Sequence, residues 1–237
     1  MRSTLWYHYE LKAPFEALLP VMCTMKNALT FNPRHIVDFL TITARLKSEL
    51  RHCTDASGNR AESVAEHCFQ MTLFALLVHR YLKGTVDVTR LLKICICHDL
   101  VEALVGDTPY VDGADKAAKR AREEEGLQAL MEKLPSGLAH EVYDLWHEFE
   151  DCKTVEARCA KALDNLEAQL QHNIAPLETW EEREFPMVFT KMDKWCEHDE
   201  ALRALCEAIK QDACKKMRAG GIDPAAQDPR GNPRDGQ

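Results

Sequence analysis

Several common signals are missing from this chain. None of its ten cysteines forms a CxxC pair, so nothing suggests a disulfide framework, and the scattered thiols point to a reducing compartment. Cys95 and Cys97 are two apart in a helical pattern, so they point about 200° apart and cannot share a metal. No apolar run approaches the roughly 18–20 residues of a membrane span; the longest candidate, Met71 to Val78, has the length of a core segment. Positive charge is not in excess either. Thirty Lys and Arg against 38 Asp and Glu leave a net charge of −8, which argues against nucleic-acid binding. A small anionic ligand stays open, because a local cation can outweigh the global sign. The first residues lack the basic and long apolar regions of a secretory signal, and a mitochondrial address has only weak support in 1–25, so the expected location is cytoplasmic. Alternating Val/Ile/Thr stretches joined by hairpin dipeptides are absent, so no sheet is expected.

What is present is helical periodicity almost throughout. A short amphipathic segment is expected over 14–25 and a clearer helix over 33–51, with Asn32 and Pro33 suited to its start. Ser63 followed by Glu66 reads as a capping box opening a helix that ends near Gly84. Further helices are expected over 87–105, 115–134, 138–150 and 155–173, with a loop at 108–113. The segment 176–218 is charged, interrupted at Pro186, then helical. The last eighteen residues hold four Gly and three Pro with almost nothing apolar and read as disordered. The division expected is an N-terminal segment 1–32, an all-α bundle over 33–175, a C-terminal helical extension 176–218 and a disordered tail 219–237.

The chemistry lies where charge interrupts apolar helix. His98 and Asp99 follow Ile94-Cys95-Ile96-Cys97, with Glu102 and Asp107 close behind. A buried carboxylate needs a partner or a metal. His67 sits in a second apolar pattern before Met71 and Phe74, and Asp164 in a third, ringed by Ala157, Ala160 and Ala168. Each alone is ordinary, His67 most often a satisfied core histidine. Together, on three helices, His67, His98, Asp99 and Asp164 form a four-ligand set for one divalent ion such as Mn, Fe, Co, Ni or Zn. Glu102 lies one turn from His98 and can orient or deprotonate a water. Asp107, just past the helix end, can act as a general acid. Lys116, Lys119 and Arg120 read as a solvated helix face.

The segments Ala65-Glu66-His67, His98-Asp99-Leu100-Val101-Glu102-Ala103-Leu104-Val105-Gly106-Asp107 and Lys161-Ala162-Leu163-Asp164 resemble the HD-domain metal-dependent phosphohydrolases, in the branch of the 5′-deoxynucleotidases. Arg122-Glu123-Glu124-Glu125 and the run 145–150 are similar to that branch too. The resemblance covers roughly 33–175. It implies an all-α HD-domain bundle, a divalent metal, hydrolysis of nucleoside 5′-monophosphates, and a homodimer. It also implies that His67, His98, Asp99 and Asp164 are metal ligands, that Glu102 and Asp107 are the catalytic acids, and that Arg51 binds phosphate. A guanidinium suits that task because it forks onto phosphate oxygens. In deoxynucleotidase relatives a Trp can follow this Arg and help exclude the ribose 2′-hydroxyl. Here His52 follows, so His52 is expected beside the sugar, with weaker preference for deoxyribose. The extension over 180–218 has no assigned counterpart. Alternatives within reach of the sequence are another HD hydrolase, such as a phosphodiesterase, or a catalytically silent helical binding protein.

Overall fold

The computed structural model describes residues 32–107 and 116–231. The segment expected at 14–25 and the loop at 108–113 lie outside the described residues. The first helix, α1 (Pro33–Thr43), is shorter than its periodicity suggests. It tightens into a 3-10 turn over Ala44–Lys47, which Ser48 closes by placing its N–H and its hydroxyl on the Arg45 carbonyl at 2.8 and 3.0 Å. Side chains that compete for backbone carbonyls in this way end helices. The chain then forms β1 (Leu50–Thr54) and β2 (Ala61–Ser63), an antiparallel hairpin with an irregular register. Arg51 and His52 are therefore on a strand and not at a helix end; the all-α class holds, but the expectation of no sheet fails here, at the one small hairpin among the described residues.

Helix α2 (Val64–Val78) starts at the capping box read from the sequence, with Ser63 Oγ accepting from the Glu66 N–H and Glu66 from the Ser63 N–H. Asp87 caps α3 (Val88–Cys97), which ends eight residues short of the expected 105. The Cys95 carbonyl, which a continuing helix would give to the Asp99 N–H, takes His98 Nδ1 at 2.9 Å instead. The chain turns through Asp99 and resumes as the single turn α4 (Glu102–Val105). There follow α5 (Lys116–Met131), α6 (Ser136–Asp151) and α7 (Val155–Ile174). Met71, Leu91, Ile94, Leu163 and Leu166 are fully buried where α2, α3 and α7 meet, with Leu145 and Phe149 of α6 against them.

The C-terminal part comprises α8 (Glu184–Thr190), α9 (Asp193–Cys196), α10 (Glu200–Ala219) and α11 (Pro224–Gln227). Pro186 sits in the first turn of α8, where its missing N–H is harmless. Met192, Cys196, Leu202 and Ile209 join the same core as α2, α3 and α7, so the extension is continuous with the bundle. Residues 219–231, read from the sequence as disordered, carry α11 with Asp223 as its cap and Pro224 buried. No helix among the described residues is long and apolar enough to cross a membrane.

Candidate metal centre

His67 on α2, His98 and Asp99 at the turn after α3, and Asp164 on α7 converge. His67 Nε2 lies 3.3 Å from Asp164 Oδ1 and 3.8 Å from Asp99 Oδ2, and His98 Nε2 lies 3.0 Å from Asp99 Oδ2. Ligand atoms of His67, His98 and Asp164 all fall within 4.8 Å of one another. Both rings are held from behind. His98 Nδ1 donates to the Cys95 carbonyl, and His67 Nδ1 meets Glu167 in a very short contact. A carbonyl only accepts, so His98 Nδ1 carries a proton and the ring turns Nε2 inward, toward Asp99. Both Nε2 atoms are buried without an aligned hydrogen-bond partner. Buried polar atoms are rarely left so, and two imidazoles with two carboxylates are a donor set for a borderline divalent cation. The residues present therefore fit the metal that their types imply.

The electrostatics agree. Burial opposes ionisation of Asp99, but His98, His67 and Arg51 outweigh it and hold the carboxyl down to about 2. Asp164 is likewise held well below the usual carboxylate range, against burial, by His67. Burial and Arg51 work against a charged His67, yet the nearby carboxylates of Asp164 and Glu167 push it up to about 10. The negative charge that draws a proton onto that ring is the charge a bound cation takes up.

The flanks of the cluster carry the other residues singled out from the sequence. Arg51 Nη1 is 3.5 Å from Asp99 and its Nε 3.6 Å from Glu62. Glu102 is buried with Oε2 unpartnered. Burial, Asp99 and Asp107 push its carboxyl up to about 10, with Arg51 and Lys119 pulling the other way. Asp107 is raised by burial and Asp99. It is placed by Gly106, whose φ of +77° is open to glycine and against which Glu49 packs; Glu49 accepts the Asp107 N–H at 3.0 Å. His52 is the exception. It turns to the opposite face of β1, with Nε2 3.0 Å from Glu184 and 3.3 Å from Glu181. Neighbouring strand residues face opposite ways, so Arg51 facing in turns His52 away, and it is not brought to the site.

Other residues at the site were not picked out from the sequence. Glu167 and Glu62 are buried, and with His67 their polar atoms lie within 4.8 Å of one another. Burial and Glu167 raise Glu62 to about 7. The signal for Glu167 was its spacing, one turn after Asp164 on the same face of α7. Cys68 also lies near His98 and Asp99, but burial keeps it a neutral thiol. Lys119, read as solvated, is half-buried and paired with Glu123 at 3.4 Å, and the charges of Glu102 and Asp107 help to raise its pKa. Gly126 makes this possible by letting α5 lie on α4: a Cβ there would sit 2.7 Å from Val105 Cγ1.

A family model described as HD domain matches residues 43–208. That match runs through most of the extension left unassigned above. The 5′-deoxynucleotidase HDDC2 of Danio rerio is 34% identical over 161 residues, 68% of this chain and 78% of that protein. The human protein of the same name is 32% identical over 139 residues, 58% of this chain and 67% of its own. A crystal structure of a predicted metal-dependent phosphohydrolase from Magnetospirillum magnetotacticum superposes with a TM-score of 0.69 at 30% identity, covering 80% of this chain and 95% of that one. Matched in sequence and fold over most of its length, the chain belongs to the HD-domain family, in the branch that includes the 5′-deoxynucleotidases.

Proposed function

We propose that this enzyme is a metal-dependent phosphomonoesterase that converts deoxynucleoside 5′-monophosphates to nucleoside and phosphate. The observation that carries the reading is the pair of buried, inward-facing imidazole nitrogens that converge on the Asp99 and Asp164 carboxylates without an aligned hydrogen bond, with Arg51 at the rim. His67, His98, Asp99 and Asp164 would hold one divalent ion. Bound there, the ion supplies Lewis acidity and lowers the pKa of water. Arg51 binds phosphate oxygens. With the ion bound, its positive charge would keep Glu102 ionised, so that Glu102 accepts the proton of the attacking water, and Asp107 gives one to the sugar 5′-oxygen as the phosphorus–oxygen bond breaks. The 5′-deoxynucleotidase relatives support the substrate class. That all six acids and histidines are retained and meet speaks against a silent binding protein. His52 facing away removes it as a reader of the sugar. Phosphate release from a panel of deoxy- and ribonucleoside monophosphates, with several divalent ions, tests the reading. Turnover of 5′-monophosphates is expected; activity confined to diesters would overturn it.

Arg51→Ala should weaken use of the monophosphate by about one to two decades in kcat/KM, because a charge-assisted contact is worth roughly 1.5–3 kcal/mol. Metal content should hold, since removing a cation 3.5 Å from Asp99 does not weaken attraction for another. Steady-state kinetics with elemental analysis checks both halves.

We also propose a homodimer through α2. Its outer face carries Phe69, Leu73, Leu76 and Leu77, with Tyr81 just beyond, and Phe69 and Leu77 are 69% and 65% exposed. A helix apolar on both faces is ordinarily covered on both. Light scattering should give twice the chain mass, and Leu77→Glu should halve it; a monomeric wild type would end the proposal. The free thiols among the described residues support a reducing compartment, and the cytoplasm is our reading.

A further inference from the structure

The hairpin that carries Arg51 is a poor platform by itself. Two-stranded hairpins are marginal in isolation, and this one has five residues facing three in an irregular register. It is held instead by the corner between α7 and α8. At its tip, Gly58 lies so close to Pro176 that a Cβ would sit 2.7 Å from Pro176 Cγ. Beside the tip, at the end of β1, Gln171 Nε2 donates to the Thr54 carbonyl at 2.7 Å. One residue further back along β1, Cys53 Sγ lies 3.4 Å from His172 Nε2. The central element is Glu184, which is 7% exposed. Its Oε1 lies 3.0 Å from His52 Nε2 and 3.5 Å from His172 Nε2, and its Oε2 accepts the Glu181 N–H at 2.8 Å. One buried carboxylate thus ties the strand to two helices, and its strand partner is the immediate neighbour of Arg51.

We propose that Glu184, acting through His52, is a positioning residue for phosphate binding: it fixes β1 so that the Arg51 guanidinium stays aimed across the metal cluster. The proposal rests on the reading of Arg51 as the phosphate arm. It assigns the C-terminal segment a part in substrate binding through Glu184, which meets the face of β1 opposite to Arg51. The consequence is a selective one. Releasing the strand weakens phosphate capture, whereas the metal ligands, carried on α2, α7 and the turn after α3, are left in place.

The test is a set of variants assayed on a deoxynucleoside monophosphate, with divalent-ion affinity measured by titration. Glu184→Ala should raise KM about tenfold, with kcat and ion affinity near wild type, and Glu184→Gln, which keeps an acceptor oxygen, should fall between. His52→Ala cuts the same bond from a half-exposed side chain and should reproduce the KM rise even where Glu184→Ala fails to fold. An unchanged KM in His52→Ala and Glu184→Gln would overturn the proposal, as would kcat and ion affinity falling by the same factor as KM rises. Arg51→Ala, assayed alongside, separates the two ideas. If it leaves KM untouched, the phosphate-arm reading fails; if it raises KM while the Glu184 and His52 variants do not, the positioning role alone fails.

Discussion

Asp164→Ala should bind no stoichiometric divalent ion and release no measurable phosphate, and a chelator should bring the wild type to the same state. Asp164 supplies one of two carboxylates and lies 3.3 Å from His67 Nε2. Its loss leaves two imidazoles and one carboxylate, with one negative charge fewer to offset the desolvation of a doubly charged ion. Glu167→Ala should be milder. That carboxylate grips the rear nitrogen of His67, and loss of such support typically costs 10–100-fold in metal affinity. Competition against a chelator of known affinity ranks the variants. A fully active protein shown by elemental analysis to be metal-free would sink the assignment.

How much of this centre could be read in advance depended on helical regularity. His67, His98, Asp99 and Asp164 were legible because each breaks an apolar helical pattern, and such patterns survive folding. Arg51 was found as a residue but given the wrong element. The Ser48 bonds that end the preceding turn, and a strand of five residues with no alternation, leave no periodic trace. That error carried His52 with it, since a helix end would have left both side chains near the phosphate while a strand sends them opposite ways. The capping box at Ser63 was legible because it is local chemistry. The hold of Glu184 on His52 was not: it joins residues 132 positions apart, and Glu184 sits in a charged run that reads as solvated surface. Similarly, Gly106 and Gly126 look alike in sequence. One meets a demand of backbone angle and the other of helix contact.

Glu102→Gln should keep the ion and lose turnover by a factor of about 10²–10⁴, the usual worth of a positioned proton acceptor. The amide is nearly isosteric with the carboxyl but cannot take a proton from water. The same variant carries a stability signature. Burial, Asp99 and Asp107 raise Glu102 from 4.5 to about 10 in the metal-free fold, so the folded chain keeps a proton that the unfolded chain releases. That contribution is fully present below about pH 4.5 and is lost as pH climbs toward 10. Metal-free wild type should therefore lose thermal stability between pH 6 and pH 9 more steeply than metal-free Glu102→Gln. Equal slopes in paired melting curves would show that Glu102 is not held protonated, and wild-type kcat in the variant would remove it from the proton transfer.

The two histidines obtain their rear support over very different distances along the chain. His98 takes it from Cys95, three residues back in the last turn of α3; His67 takes it from Glu167, one hundred residues on. The first orientation exists once a single stretch of helix has formed, whereas the second exists only after α2 and α7 have docked, with the loop-closure cost that such a contact carries. Half of the centre is thus a product of local helix formation and half a product of tertiary assembly. A chain whose α7 has loosened would keep its helical signal and one well-aimed imidazole, yet have no site. Ion binding by this protein accordingly reports on the docking of its core and not on its helix content.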